Sequence, residues 1–154
     1  MIEPQPSRPL SRSIPFPTYN QRDTTLLRLM MPVRIEDQSC LAIRAIVGIR
    51  LLAICSRSGT EALPMLTQRL ASVTAAKAFI AFADLVGTSW PENFNVMRPC
   101  CRVVSPDEAT LAQMVDAAAS GNRARFNLTL DGFVRSDRQD ALFERAAEAA
   151  ALIA

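Results

Sequence analysis

The sequence predicts an all-α protein: a compact bundle of five to six helices around a central apolar helix, with an extended Pro-rich N-terminal arm. Residues 39–57 are apolar on most faces of a helix, which suits a helix enclosed by others. Later stretches repeat apolar residues at helical spacing between capping signals. No stretch alternates over the length of a strand. We therefore expect residues 1–20 to form the arm and residues 21–154 to form a single helical domain.

The arm holds five of the ten prolines. Proline fixes φ and has no N–H to donate, so this stretch is neither a helix nor a central strand. We expect disorder up to about Ser13, and then an extended segment over residues 14–17 that is either docked on the domain or free. The apolar runs of the arm are too short for a signal peptide.

Two helices are predicted after the arm. Asp23 or Thr24 caps a short helix, TTLLRLMM, which Pro32 stops. The central helix follows, and Gly48 lies in its middle at a cost of about 1 kcal/mol relative to alanine. That glycine indicates that another helix passes close to it. Gly59 ends the central helix.

The middle of the chain predicts a long helix and then an irregular segment. Thr60 caps the helix, which continues to a stop at Gly87. Residues 72–74 are its weakest point, so one helix and two helices both stay open. The irregular segment covers residues 87–104 and contains Trp90. A connection of this length is either functional or a structural strap pinned by its large apolar side chains.

Capping signals divide the last third of the chain into three helices. Residues 105–108 are Ser-Pro-Asp-Glu, which is a capping box with proline in the first helical position. The helix that follows ends at Gly121. Residues 122–131 predict a further short helix. Residues 136–139 form a second capping box, which opens the terminal helix.

The composition excludes several kinds of chemistry. The chain has no histidine, which removes the commonest general base, the Ser-His-Asp triad, the Cys-His dyad and most zinc sites. A Schiff base would need the single lysine, Lys77, which lies inside a predicted helix. Nearly half of the fifteen acids fall at predicted helix starts, where capping and the helix dipole explain them.

Charge and hydropathy bear on partners and compartment. The formal net charge of +2 indicates no polyanionic partner, and no stretch is long and apolar enough for a transmembrane helix. We expect a cytoplasmic protein whose four cysteines are thiols rather than disulfides.

Two adjacent cysteines are the first candidate site. The residues concerned are Arg98, Cys100, Cys101 and Arg102. Flanking cations and the helix start that follows favour the reactive thiolate form, so the pair is a candidate redox site. It is also a candidate soft-metal site with a third cysteine from the central helix. Cys40 and Cys55 on that helix would be about 22 Å apart, so only one of them can contribute. The structural alternative is that all four behave as small hydrophobic residues.

Asp84 is the acid that is hardest to explain, because it lies on an otherwise apolar helical turn. We expect it to form a buried ion pair with Arg44 or Arg50 of the central helix, and such pairs are usually structural. The alternative is a site that orients an anion or a substrate.

A helix-turn-helix pattern is the last candidate. Gln113, Ala117 and Gly121 have its spacing, and Arg123 and Arg125 follow. Two positions that the motif fills with apolar residues are polar here, and the surrounding segment is acidic, which opposes contact with phosphate.

Three motifs together are shared with known proteins. They are Ile-Pro-Phe-Pro at 14–17, TTLLRLMM, and Pro99-Cys100-Cys101 ahead of the Ser-Pro-Asp-Glu box. With them the chain resembles, over residues 14–150, a family of small uncharacterised all-helical bacterial proteins. The resemblance implies a shared helical fold and a role for Cys100 and Cys101, and it implies no activity.

The sequence therefore favours a non-catalytic helical protein-interaction or regulatory module that needs no cofactor. Its partner would be an unidentified protein or a second copy of the chain, because Ala-rich helices often bury a face against their own copy. The alternative is a thiol redox or soft-metal-binding protein that uses the vicinal cysteines. A weak DNA binder is the third interpretation.

Overall fold

Six helices make up most of residues 31–154, which are the residues that the computed structural model describes. The helices are α1 (Cys40–Ser58), α2 (Ala62–Leu70), α3 (Val73–Ser89), α4 (Pro106–Ala119), α5 (Arg123–Leu130) and α6 (Ser136–Ile153). A single 3-10 turn, Ile35–Asp37, precedes them. The described part contains no strand, only an isolated antiparallel bridge between Arg34 and Val103. The predicted all-α class is confirmed.

The N-terminal predictions lie outside the described residues. They are the Pro-rich arm and the short helix before Pro32. The chain divides into two units, Met1–Met31 and Pro32–Ala154, and the account that follows concerns the second.

Helix α1 begins and ends where its capping residues predict. Ser39 accepts a hydrogen bond from the backbone N–H of Ala42 at 3.0 Å, and Gly59 ends the helix with a left-handed φ of 65°. A Cβ atom added at Gly48 would lie 2.6 Å from Cε1 of Phe79 in α3. The prediction that another helix passes close to Gly48 is confirmed.

The predicted long helix over residues 60–86 is two helices. Ala71 breaks it with a left-handed φ of 55°, and Ser72 then caps α3 by accepting a hydrogen bond from Ala75 N–H at 3.2 Å. Two boundaries also differ from the prediction: Glu61, not Thr60, is the N-cap of α2, and α3 continues through Gly87 to Ser89. The helix passes Gly87 because a glycine in ordinary helical conformation weakens a helix without ending it.

The last three helices confirm one capping box and not the other. Ser105 and Glu108 cap α4 reciprocally, as predicted. Asn122 caps α5 through Arg125 N–H at 2.9 Å. Helix α6 begins one residue before the predicted position, with Arg135 as its N-cap, so Ser136 is already helical and the predicted box does not form. The Gln139 side chain instead donates to the Val134 carbonyl at 3.0 Å.

The main hydrophobic core lies among α1, α3, α4 and α6, which pack against one another. Phe79 and Phe82 of α3 meet edge to face, with ring centroids 6.4 Å apart. Phe126 of α5 meets Phe143 of α6 in the same geometry at 5.1 Å. Fully buried side chains of the core include Leu66, Leu111, Met114, Leu130, Leu142 and Ile153. Four helices contact α1: α2, α3, α4 and α6.

Candidate functional site

Residues 90–105, here called the connecting segment, join α3 to α4 and are held by a buried ion pair. Arg50 comes from the middle of α1 and Glu108 from the first turn of α4. The guanidinium Nε and Nη2 donate to Glu108 Oε1 and Oε2 at 2.7 and 2.9 Å. The two side chains are 2% and 0% exposed. This bidentate geometry is the strong form of an arginine–carboxylate contact.

The same two side chains also bind the backbone of the connecting segment. Arg50 donates to the carbonyls of Cys101 and Val103 at 2.7 and 3.0 Å. Glu108 accepts from the backbone N–H groups of Met97 and Ser105 at 3.1 and 2.9 Å. Both buried charges are thus satisfied by neighbouring groups, which is the condition for such a pair to be tolerated in a core.

The pair raises the pKa of the Arg50 guanidinium above its ordinary value. The hydrogen bonds that the guanidinium donates to Glu108 are the main cause of the raised pKa, burial opposes it, and Coulombic interactions with Glu108, Cys101 and Cys100 add to it. A raised arginine pKa contributes stability at every pH below the ordinary arginine range, and that stability is lost only above it. The Arg50 guanidinium therefore stays charged at every pH below the ordinary arginine range.

Aromatic side chains hold the other end of the connecting segment. The Trp90 ring centroid lies 5.0 Å from that of Phe94 and 5.1 Å from that of Phe133. Its indole N–H donates to Asp107 Oδ1 at 3.2 Å, and Asp107 Oδ2 accepts from Asn95 N–H at 2.7 Å. The contacts are those of a strap pinned by large side chains, one of the two alternatives that the sequence leaves open.

Cys100 and Cys101 lie on a turn of the connecting segment. Cys100 is exposed and Cys101 is half-buried, and the turn closes through a hydrogen bond from Cys101 N–H to the Arg98 carbonyl at 2.9 Å. Arg98 and Arg102 are both exposed. All four cysteines are free thiols.

The structure supplies no third metal ligand for these two thiols. Cys40 is exposed at the start of α1, and Cys55 is buried with its sulfur 3.4 Å from that of Met65. Among residues 31–154 no group of three cysteine, aspartate or glutamate side chains is placed to hold a metal ion.

The predicted buried pair of Asp84 with Arg44 or Arg50 is wrong. Asp84 is exposed, and within residues 31–154 it has no salt-bridge partner. Arg50 pairs with Glu108, and Arg44 donates to the Ile153 carbonyl at 2.6 Å. The apolar neighbours Phe82 and Val86 are buried in the core, whereas Asp84 lies on the exposed side of α3, so an apolar turn does not by itself imply a buried acid.

A groove lies between α1 and α3 and is called the α1–α3 groove below. Its volume is about 400 Å³, and it is partly open to solvent. Among residues 31–154, Asp84 is the one charged residue that lines it. The C-terminal ends of α1 and α3 and the start of α2 meet there, and the connecting segment supplies Phe94 and Val96. Helix residues lining it include Ile49, Leu52, Cys55, Ile80, Ala83 and Gly87.

Arg123, one of the two arginines of the helix-turn-helix pattern, is bound within the fold. Arg123 pairs with Asp140, and its guanidinium carbon lies 4.5 Å above the centre of the Phe143 ring. Ala117 is buried, while Gln113 and Arg125 are exposed. One of the two arginines expected to face DNA is therefore already occupied by an acid and a ring.

Sequence analysis missed both Glu108 as a buried charge and the α1–α3 groove. The sequence predicts Glu108 as a helix cap, and the structure confirms that role. No local signal shows that the same side chain also binds an arginine 58 positions away. The sequence carries a partial signal for the groove. Asp84 and Gly87 lie three residues apart on one face of α3, where a carboxylate stands next to a residue without a side chain.

The chain matches no protein-family model, no curated protein and no solved structure. The resemblance to small helical bacterial proteins therefore stays a prediction. Within residues 31–154, none of the helices has the length and hydropathy that crossing a bilayer requires.

Proposed function

We propose that this protein is a non-catalytic interaction module that binds an apolar segment of another protein chain in the α1–α3 groove. The groove itself is the observation that carries the proposal. Its volume of about 400 Å³ falls in the ordinary range for binding sites, and its lining is apolar apart from a few polar groups. Because it is partly open to solvent rather than enclosed, it suits a peptide segment better than an enclosed small molecule.

The state of the charged groups supports binding rather than catalysis. The chain has no histidine, and the buried Arg50–Glu108 pair has its polar atoms bound to the connecting segment. General acid–base chemistry requires a group within reach of a substrate. Among residues 31–154, Asp84 is the one carboxylate that lines the groove, and the other titratable lining residue, Cys55, is buried.

Gly87 allows the groove to be narrowed without disturbing the core. A Cβ atom added there would meet no heavy atom within 4 Å. We expect Gly87→Trp to weaken binding of a fluorescein-labelled amphipathic peptide with leucines at helical spacing at least tenfold. Gly87→Ala is the matched control and should bind as the wild type does. Fluorescence anisotropy measures both affinities, and amide chemical shifts locate the peptide.

Two results would contradict the proposal. One is the absence of peptide binding by the wild-type protein, and the other is equal binding by Gly87→Trp. Self-association through the same groove is tested by sedimentation. A dimer that Gly87→Trp dissociates would identify the second copy as the partner.

Thiol chemistry at Cys100 and Cys101 is a second candidate function. It is favoured by the exposure of Cys100 on a turn. In that turn the carbonyl of the following residue, Cys101, accepts a hydrogen bond from Arg50 at 2.7 Å. A native mass spectrum of protein purified under reducing conditions tests it. Extra mass that disappears in Cys100→Ser and Cys101→Ser supports a bound metal, whereas a bare polypeptide mass in the wild type contradicts metal binding. Redox chemistry is contradicted if both thiols titrate at or above the ordinary cysteine pKa of about 8.5.

A further inference from the structure

We infer that the partner segment of the α1–α3 groove is basic: its apolar side chains fill the groove while a lysine or arginine beside them contacts Asp84. This inference rests on the proposed function and specifies the chemistry of the partner. Three features of the groove support it: the position of one carboxylate, the charges around it, and the hydrogen bonds of the nearest arginines.

Asp84 is placed as a recognition group rather than as a structural one. It lies on α3 among apolar residues, is exposed, and among the described residues is the one charged side chain that lines the groove. An aspartate that caps no helix and pairs with no cation of residues 31–154 adds little to folding. A carboxylate is negatively charged at neutral pH, so a segment lying in the groove meets a negative charge at its edge.

Two of the three helix ends at the groove carry partial negative charge. Helices α1 and α3 both approach it with their C-terminal turns, at Ser56 and Gly87, where a helix carries partial negative charge. Helix α2 starts at the same place with its positive end, and its N-cap residue is the acid Glu61. The fields of the helices and acids thus favour a cation over an anion.

Two of the three arginines of the central helix are bound elsewhere, and the third, Arg57, is exposed in the last turn of α1 and forms no salt bridge with Asp84. Arg50 is held by Glu108 and by two carbonyls of the connecting segment. Arg44 donates to the Ile153 carbonyl at 2.6 Å. Neither is free to turn toward the groove without breaking these contacts, so Asp84 keeps its charge available to a partner.

Three peptides that differ at one position test the inference. Each is the amphipathic leucine peptide used above, with lysine, glutamine or glutamate one helical turn from the leucines. At low salt we expect the wild type to bind the lysine peptide about fivefold more tightly than the glutamate peptide. The preference should shrink as ionic strength rises, because exposed charges are screened.

Two variants assign that preference to Asp84. Asp84→Asn should bind all three peptides equally, and Asp84→Lys should prefer the glutamate peptide. Asp84 is exposed, so both variants should melt as the wild type does, which circular dichroism checks. The glutamine peptide serves as the neutral reference throughout.

The failures of the two proposals give different results. Equal binding of the lysine and glutamate peptides by the wild type overturns the charge inference and leaves the groove proposal standing, provided that Gly87→Trp still abolishes binding. A lysine preference that persists in Asp84→Asn also overturns it. Binding of all peptides that is insensitive to Gly87→Trp overturns the proposed function.

Discussion

Arg50 and Glu108 each make two kinds of contact: an ion pair with each other, and hydrogen bonds with the backbone of the connecting segment. The guanidinium binds the carboxylate and two carbonyls, and the carboxylate binds two backbone N–H groups. We expect Glu108→Gln to lower the free energy of unfolding by about 3 kcal/mol, because it leaves a buried guanidinium without its counter-charge. Urea denaturation followed by circular dichroism measures the loss.

A surface pair is the matched control for this prediction. Arg135 and Asp137 are joined at 3.0 Å but have exposed side chains. Asp137→Asn should therefore change the free energy of unfolding by less than about 1 kcal/mol. Equal effects of the two substitutions would mean that burial does not decide the strength of the Arg50–Glu108 pair.

The double variant Arg50→Met with Glu108→Met tests the backbone contacts separately. Replacing both members of a buried pair by apolar residues is often neutral. Here it would leave two carbonyls and two N–H groups of the connecting segment without partners, and buried orphans of this kind are costly. We expect the double variant to stay less stable than the wild type. If the double variant were as stable as the wild type, these four hydrogen bonds would contribute nothing net to the free energy of unfolding.

At the level of the helices, two glycines predict opposite outcomes for the same substitution. Gly48→Ala should lower the free energy of unfolding by about 1–2 kcal/mol, since its methyl group meets the buried Phe79 ring at 2.6 Å. Gly87→Ala should raise it by up to about 1 kcal/mol, because alanine favours a helix and nothing lies within 4 Å. Thermal denaturation compares the two. Stabilisation by both would place the Phe79 ring farther from α1.

The junction of α2 and α3 gives the second prediction on helices. Ala71 adopts a left-handed φ of 55°, a conformation that alanine resists and glycine accepts. We expect Ala71→Gly to raise the free energy of unfolding by up to about 1 kcal/mol, the gain being limited by the entropy of glycine in the unfolded chain. Gly59→Ala, at the same kind of helix end, should have the reverse effect. Destabilisation by Ala71→Gly would contradict a left-handed helix end at this residue.

These junctions show which parts of the fold the sequence can predict. Ser39 and Ser105 are local signals, since the capping oxygen and the N–H that it binds lie three residues apart. Ala71 carries no such signal, because the fold forces its conformation. Ser136 carries a misleading local signal. The buried Gln139 side chain donates to the Val134 carbonyl and does not complete a capping box with Ser136. The Arg50–Glu108 contact, across 58 positions, and the α1–α3 groove depend on packing that no local pattern encodes.

At the scale of the whole domain, the connecting segment is joined to the helices at both ends, so it should unfold with them. Trp90, the single tryptophan, reports on the segment, and far-ultraviolet circular dichroism reports on the helices. We expect the two signals to follow one transition in urea, as in a two-state domain. In Glu108→Gln the fluorescence change should come at lower urea than the loss of helix. Separate transitions in the wild type would show that the segment is not coupled to the helices.

The contact between Gly48 and Phe79 also makes the two positions depend on each other. A methyl group at position 48 overlaps the ring unless the ring shifts, and a smaller residue at position 79 removes that overlap but leaves a cavity. Each change alone lowers stability, whereas the two changes made together compensate in part, as changes of residues in contact often do. The two positions should therefore change together in the evolution of this protein, so that a larger residue at one accompanies a smaller residue at the other.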